Sequence, residues 1–214
     1  MNRPLSSSAT RSARAEAPAA PVLDGASWRP AIGLGIASLL LTGLVYAVAA
    51  TGIAGTAFPD QATGSLLVDA NGQVRGSRLL SQPFQADGYF QARPSAAKYD
   101  PMSASGSNLA RTNPALIEQV AKATEAVAAR EGIRPAQVPA DLVTQSGGGL
   151  DPELSPAAAQ VQVARVARAR GLPEARVQAL VQASTQGPQW GLLGQPRVNV
   201  MTLNRALDAT GPAP

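Results

Sequence analysis

Residues 31–58 read AIGLGIASLLLTGLVYAVAATGIAGTAF, and no charged side chain occurs between Arg29 and Asp60. As an α-helix this run extends roughly 42 Å at about 1.5 Å per residue, which exceeds the ~30 Å hydrocarbon core of a bilayer. A soluble helix of this length would carry a polar face, and this run has none. The pattern therefore predicts a transmembrane helix, which we place at residues 30–58, rather than a buried helix of a soluble protein.

A cleaved signal peptide is the other interpretation of this run, because Ala47-Val48-Ala49 has the A-x-A form of a cleavage site. The preceding tail is long for a signal peptide, and apolar sequence continues past Ala49, so we favour a span that is retained.

The arginines around the run predict its orientation. Arg3, Arg11, Arg14 and Arg29 precede it, whereas the first basic residue after it is Arg75. Since positive charge favours the cytoplasmic side, we expect a single-pass protein with its N-terminus in the cytoplasm. Residues 1–29 then form a disordered cytoplasmic tail, and residues 59–214 form an extracytoplasmic domain.

Small side chains repeat at a spacing of four within the run, at Gly43, Ala47, Thr51 and Gly55. This spacing predicts a face on which another membrane helix packs closely. The alternative is the general abundance of glycine and alanine in this chain.

The composition excludes several kinds of chemistry. The chain has no cysteine and no histidine, so disulfides, Ser-His-Asp catalysis and HExxH zinc sites are impossible. Neither Lys98 nor Lys122 follows a glycine, which excludes a conventional P-loop. The net charge of +4 is not clustered on one run, so nucleic acid is not an expected partner. We therefore predict no catalytic, cofactor-binding or metal-binding residue.

Strand and helix signals after the span predict a small α/β domain with mixed α+β content. Asn71-Gly72 between residues 65–68 and 73–80 is typical of a hairpin turn. The helix signals are Asn113-Pro114 to Gly132, Ser155-Pro156 to Gly171, a short helix from Pro173, and residues 202–208 after a strand at 198–200. We expect inward faces at Leu116, Val120, Thr124 and Val127, at Val163, Val166 and Ala167, and at Val177, Leu180 and Val181, with Arg165, Arg168 and Arg170 on other faces.

Polar, glycine-rich loops at residues 103–113 and 144–152 separate these elements, and familiar motifs lie in and around them. In chain order they are YFQARPS at 89–95, SGSNL at 105–109, TNP at 112–114, DLVT at 141–144, GLDP at 149–152, SPAA at 155–158, and PRVNV at 196–200 with LN at 203–204. This set resembles the C subunit of the bacterial Kdp potassium-transporting P-type ATPases. The chain departs from the family pattern at Ala110-Arg111, at Glu153 in place of a histidine, and at Gln195 in place of a glutamate.

The resemblance implies a non-catalytic accessory subunit of an ATP-driven, high-affinity potassium uptake complex in the bacterial inner membrane. The implied partners are a channel-like potassium-translocating subunit, the P-type ATPase subunit, a small membrane peptide and the lipid bilayer. The family also implies a catalytic chaperone that raises the ATP affinity of the pump subunit. ATP and K⁺ then act at the level of the complex, and because the domain is expected outside the cytoplasm we expect an indirect effect on ATP.

Two other classes remain open at this stage. One is a membrane-anchored periplasmic solute-binding or interaction module. The other is an anchored enzyme that uses Asp141 and Asp151 as paired carboxylates, although their spacing has no specific signature.

The candidate site residues either contact partners or structure the loops. We expect Asn113 to cap a helix, Asn108 to brace a loop and Asp151 to hold a turn or meet K⁺ or a partner. Arg93 is expected to pair with a carboxylate or to contact a partner. The complete set is Arg93, Ser105, Gly106, Ser107, Asn108, Asn113, Asp141, Asp151, Arg197 and Asn199.

Overall fold

The computed structural model describes residues 28–69 and 71–211, so the predicted tail lies almost wholly outside the described residues. Its first element is one helix, Trp28–Ala57, of 30 residues; an 18-residue stretch within it has a mean hydropathy of 2.1, so the helix is long and apolar enough to cross a membrane. It begins at Trp28 rather than at residue 30. Pro30 is tolerated there because the N–H groups of a first helical turn have no partner within the helix.

The apolar helix contains one π-helical turn. Along this helix, α1 is Trp28–Leu39, the π turn is Leu40–Val45 and α2 is Tyr46–Ala57. The Thr42 hydroxyl donates to the Ser38 carbonyl at 2.6 Å, and the Tyr46 N–H reaches back to the Leu41 carbonyl. A side chain that takes a helical carbonyl competes with the backbone for it, which explains why the wider turn occurs here.

A short helix, α3 Pro59–Ala62, leads into the predicted hairpin, which is present as β1 Leu66–Val68 and β2 Val74–Ser77. The strands are antiparallel, with Leu67 opposite Gly76. In the turn Gly72 has φ +78°, and its N–H donates to the Asp69 carbonyl at 3.1 Å. The second strand ends at Ser77 rather than residue 80, because the Ser77 hydroxyl accepts from the Leu79 N–H and bends the chain.

Helix α4, Pro114–Glu131, has the predicted bounds. The Asn113 side chain accepts from the Ala115 N–H at 2.9 Å, and Gly132 ends the helix with φ +68°. Both boundary signals act locally, which is why the sequence predicted them.

The predicted second helix is wrong as a single element, because it is divided into α5 Pro156–Gln160 and α6 Val163–Arg170. At the break the Gln162 side-chain amide donates to the Ala158 carbonyl at 3.1 Å. The Gln162 backbone N–H bonds instead to the Ala159 carbonyl, also at 3.1 Å. A side chain thus takes the carbonyl that an unbroken helix would pair with its own backbone.

The remaining elements are α7 Glu174–Ser184, α8 Val200–Asp208 and a three-stranded antiparallel sheet. Its order is β3-β5-β4, from β3 Glu153–Leu154, β4 Thr185–Gln186 and β5 Arg197–Asn199. One-turn 3-10 helices occupy Pro101–Ser103, Pro135–Gln137 and Ala140–Leu142. Strand β5 ends earlier than predicted because the Asn199 side chain accepts from the Thr202 N–H and caps α8, which makes Val200 helical.

The domain core lies where α5 to α8 pack against β5 and the segment around Phe90. Most of the residues that were predicted to face inward are buried in the domain. The others, which are half-buried, are Leu116, Val120, Thr124 and Leu180. The buried ones among the predicted set are Val127, Val163, Val166, Ala167, Val177 and Val181. Phe90, Val198, Leu203 and Leu207 have no exposed surface, so they form the centre of this core.

Candidate functional site

Residues 87–91 overlap the start of the YFQARPS motif and do not belong to a strand, and Gly88 and Phe90 are buried within them. Asn204 of α8 binds both peptide groups of Phe90, since its Oδ1 accepts from the Phe90 N–H and its Nδ2 donates to the Phe90 carbonyl, each at 2.9 Å. Gln162 binds Gln91 in the same way: its Oε1 accepts from the Gln91 N–H at 2.8 Å, and its Nε2 donates to the Gln91 carbonyl at 3.1 Å. Two buried amides therefore replace the neighbouring strand that this segment lacks. We call residues 87–91 the braced segment.

Two arginines of α6, Arg165 and Arg170, complete the bracing. The sequence predicts them on faces other than the inward one, whereas the side chains of both are buried. Arg165 donates to the carbonyls of Asp87 and Tyr89, and its side chain is 8% exposed. Arg170 donates to the Gly88 carbonyl at 2.7 Å. Buried carbonyls need donors, and the guanidinium group supplies several from one side chain.

A buried ion cluster lies behind this segment. The Glu131 side chain has no exposed surface, and both of its oxygens accept from Arg165 Nε, at 3.1 and 3.0 Å. Arg130 Nε lies 2.6 Å from Glu131 Oε1, and Arg130 Nη1 donates to the Gln91 side chain. The carboxylate thus fixes the guanidinium groups of Arg130 and Arg165, both of which reach the braced segment.

Arg93 joins the YFQARPS motif to the glycine-rich loop at residues 144–152. Its Nη1 lies 3.0 Å from Asp151 Oδ2, and its Nη2 donates to the Gln145 carbonyl at 3.3 Å. The Tyr99 hydroxyl donates to the Arg93 carbonyl at 2.8 Å. Burial raises the pKa of Tyr99 above its ordinary value, so this hydroxyl keeps its proton.

The two motif loops pack backbone against backbone. A Cβ on Gly106 would lie 2.9 Å from the Gly147 carbonyl oxygen, and a Cβ on Gly149 would lie 2.7 Å from that of Ser105. Gly149 also has φ +69°. Asn108 has φ +53°, and its Nδ2 donates to the Gly106 carbonyl at 3.3 Å. Glycine is thus required where the loops meet.

The candidate carboxylates Asp141 and Asp151 also have partners inside the domain. Asp141 accepts from the Ser155 N–H at 2.7 Å, while Asp151 accepts from the Glu153 N–H at 3.0 Å. The two carboxylates therefore serve separate turns.

Near these turns Arg197 pairs with Glu153 at 3.0 Å, and Asn199 Nδ2 donates to the Arg78 carbonyl at 2.8 Å. A shallow groove of about 550 Å³ lies beside Arg93, Glu153, Gln195 and Arg197. Glu153 and Gln195 thus line one surface.

A second depression is a cleft of about 800 Å³ between the hairpin and α8. Leu67, Phe84 and Met201 form apolar parts of its wall, and Arg205 and Asp208 lie at α8. The Tyr89 hydroxyl donates to the Asp208 carboxylate at 3.3 Å. The pKa of Tyr89 is raised above its ordinary value, mainly by burial and to a smaller extent by the negative charge of Asp208.

The small-residue positions Gly43, Ala47, Thr51 and Gly55 all lie on the apolar helix. No atom of the described residues, outside the helix's own backbone, lies within 4 Å of a Cβ built on Gly43 or Gly55. The packing face remains a prediction.

Sequence reasoning missed Glu131, Gln162, Arg165 and Arg170 as parts of the site, because each binds a segment that is distant along the chain. For Asn204 the sequence offered one signal, its place in the LN motif at residues 203–204.

A long apolar helix followed by this braced domain defines a membrane-associated protein, with one candidate span among the residues that the structure describes. The family model described as K⁺-transporting ATPase, c chain (KdpC) matches residues 28–209, so the chain belongs to the KdpC family.

Relatives named potassium-transporting ATPase KdpC subunit agree with this assignment. The relative from Xanthomonas oryzae pv. oryzae is 58% identical over 89% of this chain and 91% of its own length. The relative from Shewanella putrefaciens is 50% identical over 81% and 86%, and that from Caulobacter vibrioides is 51% identical over 86% and 93%.

Proposed function

We propose that this chain is the accessory subunit of a potassium-transporting P-type ATPase, anchored by Trp28–Ala57 and active through contacts with the other chains of the complex. The observation that carries the proposal is the family match over residues 28–209, which includes both the apolar helix and the braced domain. The expected partners are a channel-like subunit, the ATPase subunit and a small membrane peptide.

The polar side chains of the site form hydrogen bonds within the domain, which supports a scaffolding role. Arg165, Gln162 and Asn204 bind the backbone of the braced segment, and Asp141 and Asp151 hold turns. Such a domain presents a fixed surface to a neighbour, since its loops are tied to its core. We propose that catalysis resides on a partner chain.

An effect on ATP affinity then arises by coupling. If this subunit binds one arrangement of the pump more tightly than another, it shifts the pump toward that arrangement and changes the apparent affinity for ATP. Coupling free energies of this kind are typically about 1–3 kcal/mol, or roughly 5- to 150-fold in affinity. The expected result is a higher KM for ATP in complexes without this chain. Labelling of this chain by a photoreactive ATP analogue, competed by ATP, would show direct contact instead.

The basic residues before the helix support an N-terminus in the cytoplasm and a domain outside it, at the bacterial inner membrane. Alkaline phosphatase fused at the C-terminus is expected to be active, and the same fusion directly before Trp28 inactive. Reversal of these activities would refute the orientation. An N-terminus at Ala50 in the purified protein would refute the retained span.

Co-purification tests the subunit role. The tagged chain, expressed with the other chains of the complex and solubilised gently, is expected to retain them, and its deletion is expected to abolish growth at limiting K⁺. A chain that purifies alone while growth continues would contradict the proposal.

The cleft of about 800 Å³ favours a second candidate, a membrane-anchored solute-binding module. This candidate predicts that a small solute raises the Tm of the purified chain, and that Met201→Trp, which fills the cleft, removes this shift. The subunit proposal predicts stabilisation by partner chains instead.

A further inference from the structure

An exposed apolar tip stands at the end of the β4–β5 hairpin. Residues 187–194 read GPQWGLLG, and we call them the Trp190 loop. Trp190 is 81% exposed, Leu192 86% and Leu193 55%. Three large, exposed apolar side chains within four residues of one loop are typical of an interaction site.

The loop is held in one shape by its own backbone. Gln189 and Leu193 exchange two hydrogen bonds, at 2.8 and 3.0 Å, and the Gly191 N–H donates to the Pro188 carbonyl at 3.0 Å. Trp190 has φ +54°, a left-handed conformation that is costly for a side chain of this size. Such strain persists where the surroundings fix it, and it clusters at binding sites.

The base of the loop is tied to the core. Thr185 pairs with Val198 and Gln186 pairs with Arg197, and Val198 has no exposed surface. A preshaped loop on a rigid base loses little conformational entropy on binding, which favours tight association.

Charge identifies the kind of partner. No charged residue occurs between Thr185 and Pro196, so the tip offers no ion pair to a partner. Loops that dock on lipid surfaces usually combine aromatic residues with Lys or Arg for the headgroups. A neutral, rigid tip with a tryptophan and two leucines instead matches the anchors that fill apolar pockets at protein interfaces.

We infer that the Trp190 loop inserts into a neutral, apolar pocket on the extramembrane surface of a partner chain of the same complex. This inference rests on the proposed function and specifies the contact through which it operates. The loop is a docking element, and its side chains are its anchors.

Co-purification of a double variant tests the inference. Trp190→Ala with Leu192→Ala, expressed with the other chains, is expected to retain at least about tenfold less partner than the unaltered chain. Ile117→Ala is the matched control, because Ile117 on α4 is 58% exposed and lies outside the loop. Both variants are expected to keep the far-UV circular dichroism of the fold.

The possible outcomes distinguish the docking role of the Trp190 loop from the subunit role of the whole chain. If the unaltered chain retains partners and the double variant retains them equally, the docking role is overturned and the subunit role stands. If the unaltered chain retains none, the subunit role itself fails.

A photoreactive diazirine residue at position 192 identifies the occupant in the assembled complex. Crosslinks to one partner chain, without such crosslinks from position 117, support the inference. Crosslinks to lipid alone overturn it.

Discussion

Replacing Asn204 by alanine tests whether side chains hold the braced segment. Asn204 is 1% exposed, and its amide satisfies the N–H and the carbonyl of Phe90, which has no exposed surface. The truncation leaves one buried donor and one buried acceptor without partners.

The expected cost follows from these two groups. Each unsatisfied buried polar group costs about 1–3 kcal/mol, so the pair costs about 4 kcal/mol. Alanine favours α8 over asparagine by roughly 0.5 kcal/mol, which offsets part of this loss. We expect a net loss of about 3.5 kcal/mol in the free energy of unfolding, or a fall in Tm of roughly 7–14 °C for a domain of this size.

Urea titration of the full chain in mild detergent, followed by near-UV circular dichroism, measures the change. Arg205→Ala is the matched control, because Arg205 is the next residue of the same helix and is exposed. Its loss is expected to stay within about 0.5 kcal/mol. If the two variants are equally stable, the Phe90 peptide groups do not depend on Asn204 and the bracing argument fails.

Three further predictions concern the ion cluster, the loop contact and an alkaline transition. Glu131→Gln leaves the buried Arg165 and the half-buried Arg130 without their carboxylate and is expected to lower the unfolding free energy by about 3–5 kcal/mol, while exposed Glu118→Gln changes it by less than about 0.5 kcal/mol, both measured by urea titration. Gly149→Ala is expected to cost at least about 2 kcal/mol more than Gly132→Ala, because the φ values are +69° and +68° but only Gly149 faces a close carbonyl; equal losses would rule out the contact. The raised pKa of Tyr99 means that its contribution to stability is present below about pH 10 and is lost as the pH rises further, so Tyr99→Phe is expected to flatten the fall in Tm above about pH 10, and an unchanged slope would contradict this.

The parts of the fold that sequence reasoning predicted are those with local causes. The apolar run predicted the long helix, and Asn113, Gly132 and Gly171 predicted helix ends through capping and left-handed backbone. The hairpin was predicted from its turn, since Gly72 supplies the required positive φ.

The errors arose where a side chain bonds to a distant part of the chain. Gln162 breaks the predicted second helix while it binds Gln91, and Arg165 is buried because it reaches the carbonyls of residues 87 and 89. A helical pattern alone assigns arginine to the solvent face. The partners of these side chains become visible only when α6 and the braced segment are adjacent in space.

The bracing of residues 87–91 has a consequence for the order in which the domain forms. Phe90 and Asn204 are 114 residues apart in sequence, and Gln91 and Gln162 are 71 apart. Contacts between such distant residues form slowly, because a long loop must close first. During synthesis residues 87–91 therefore emerge long before their partners, and the domain completes its folding only after its last helix has been made.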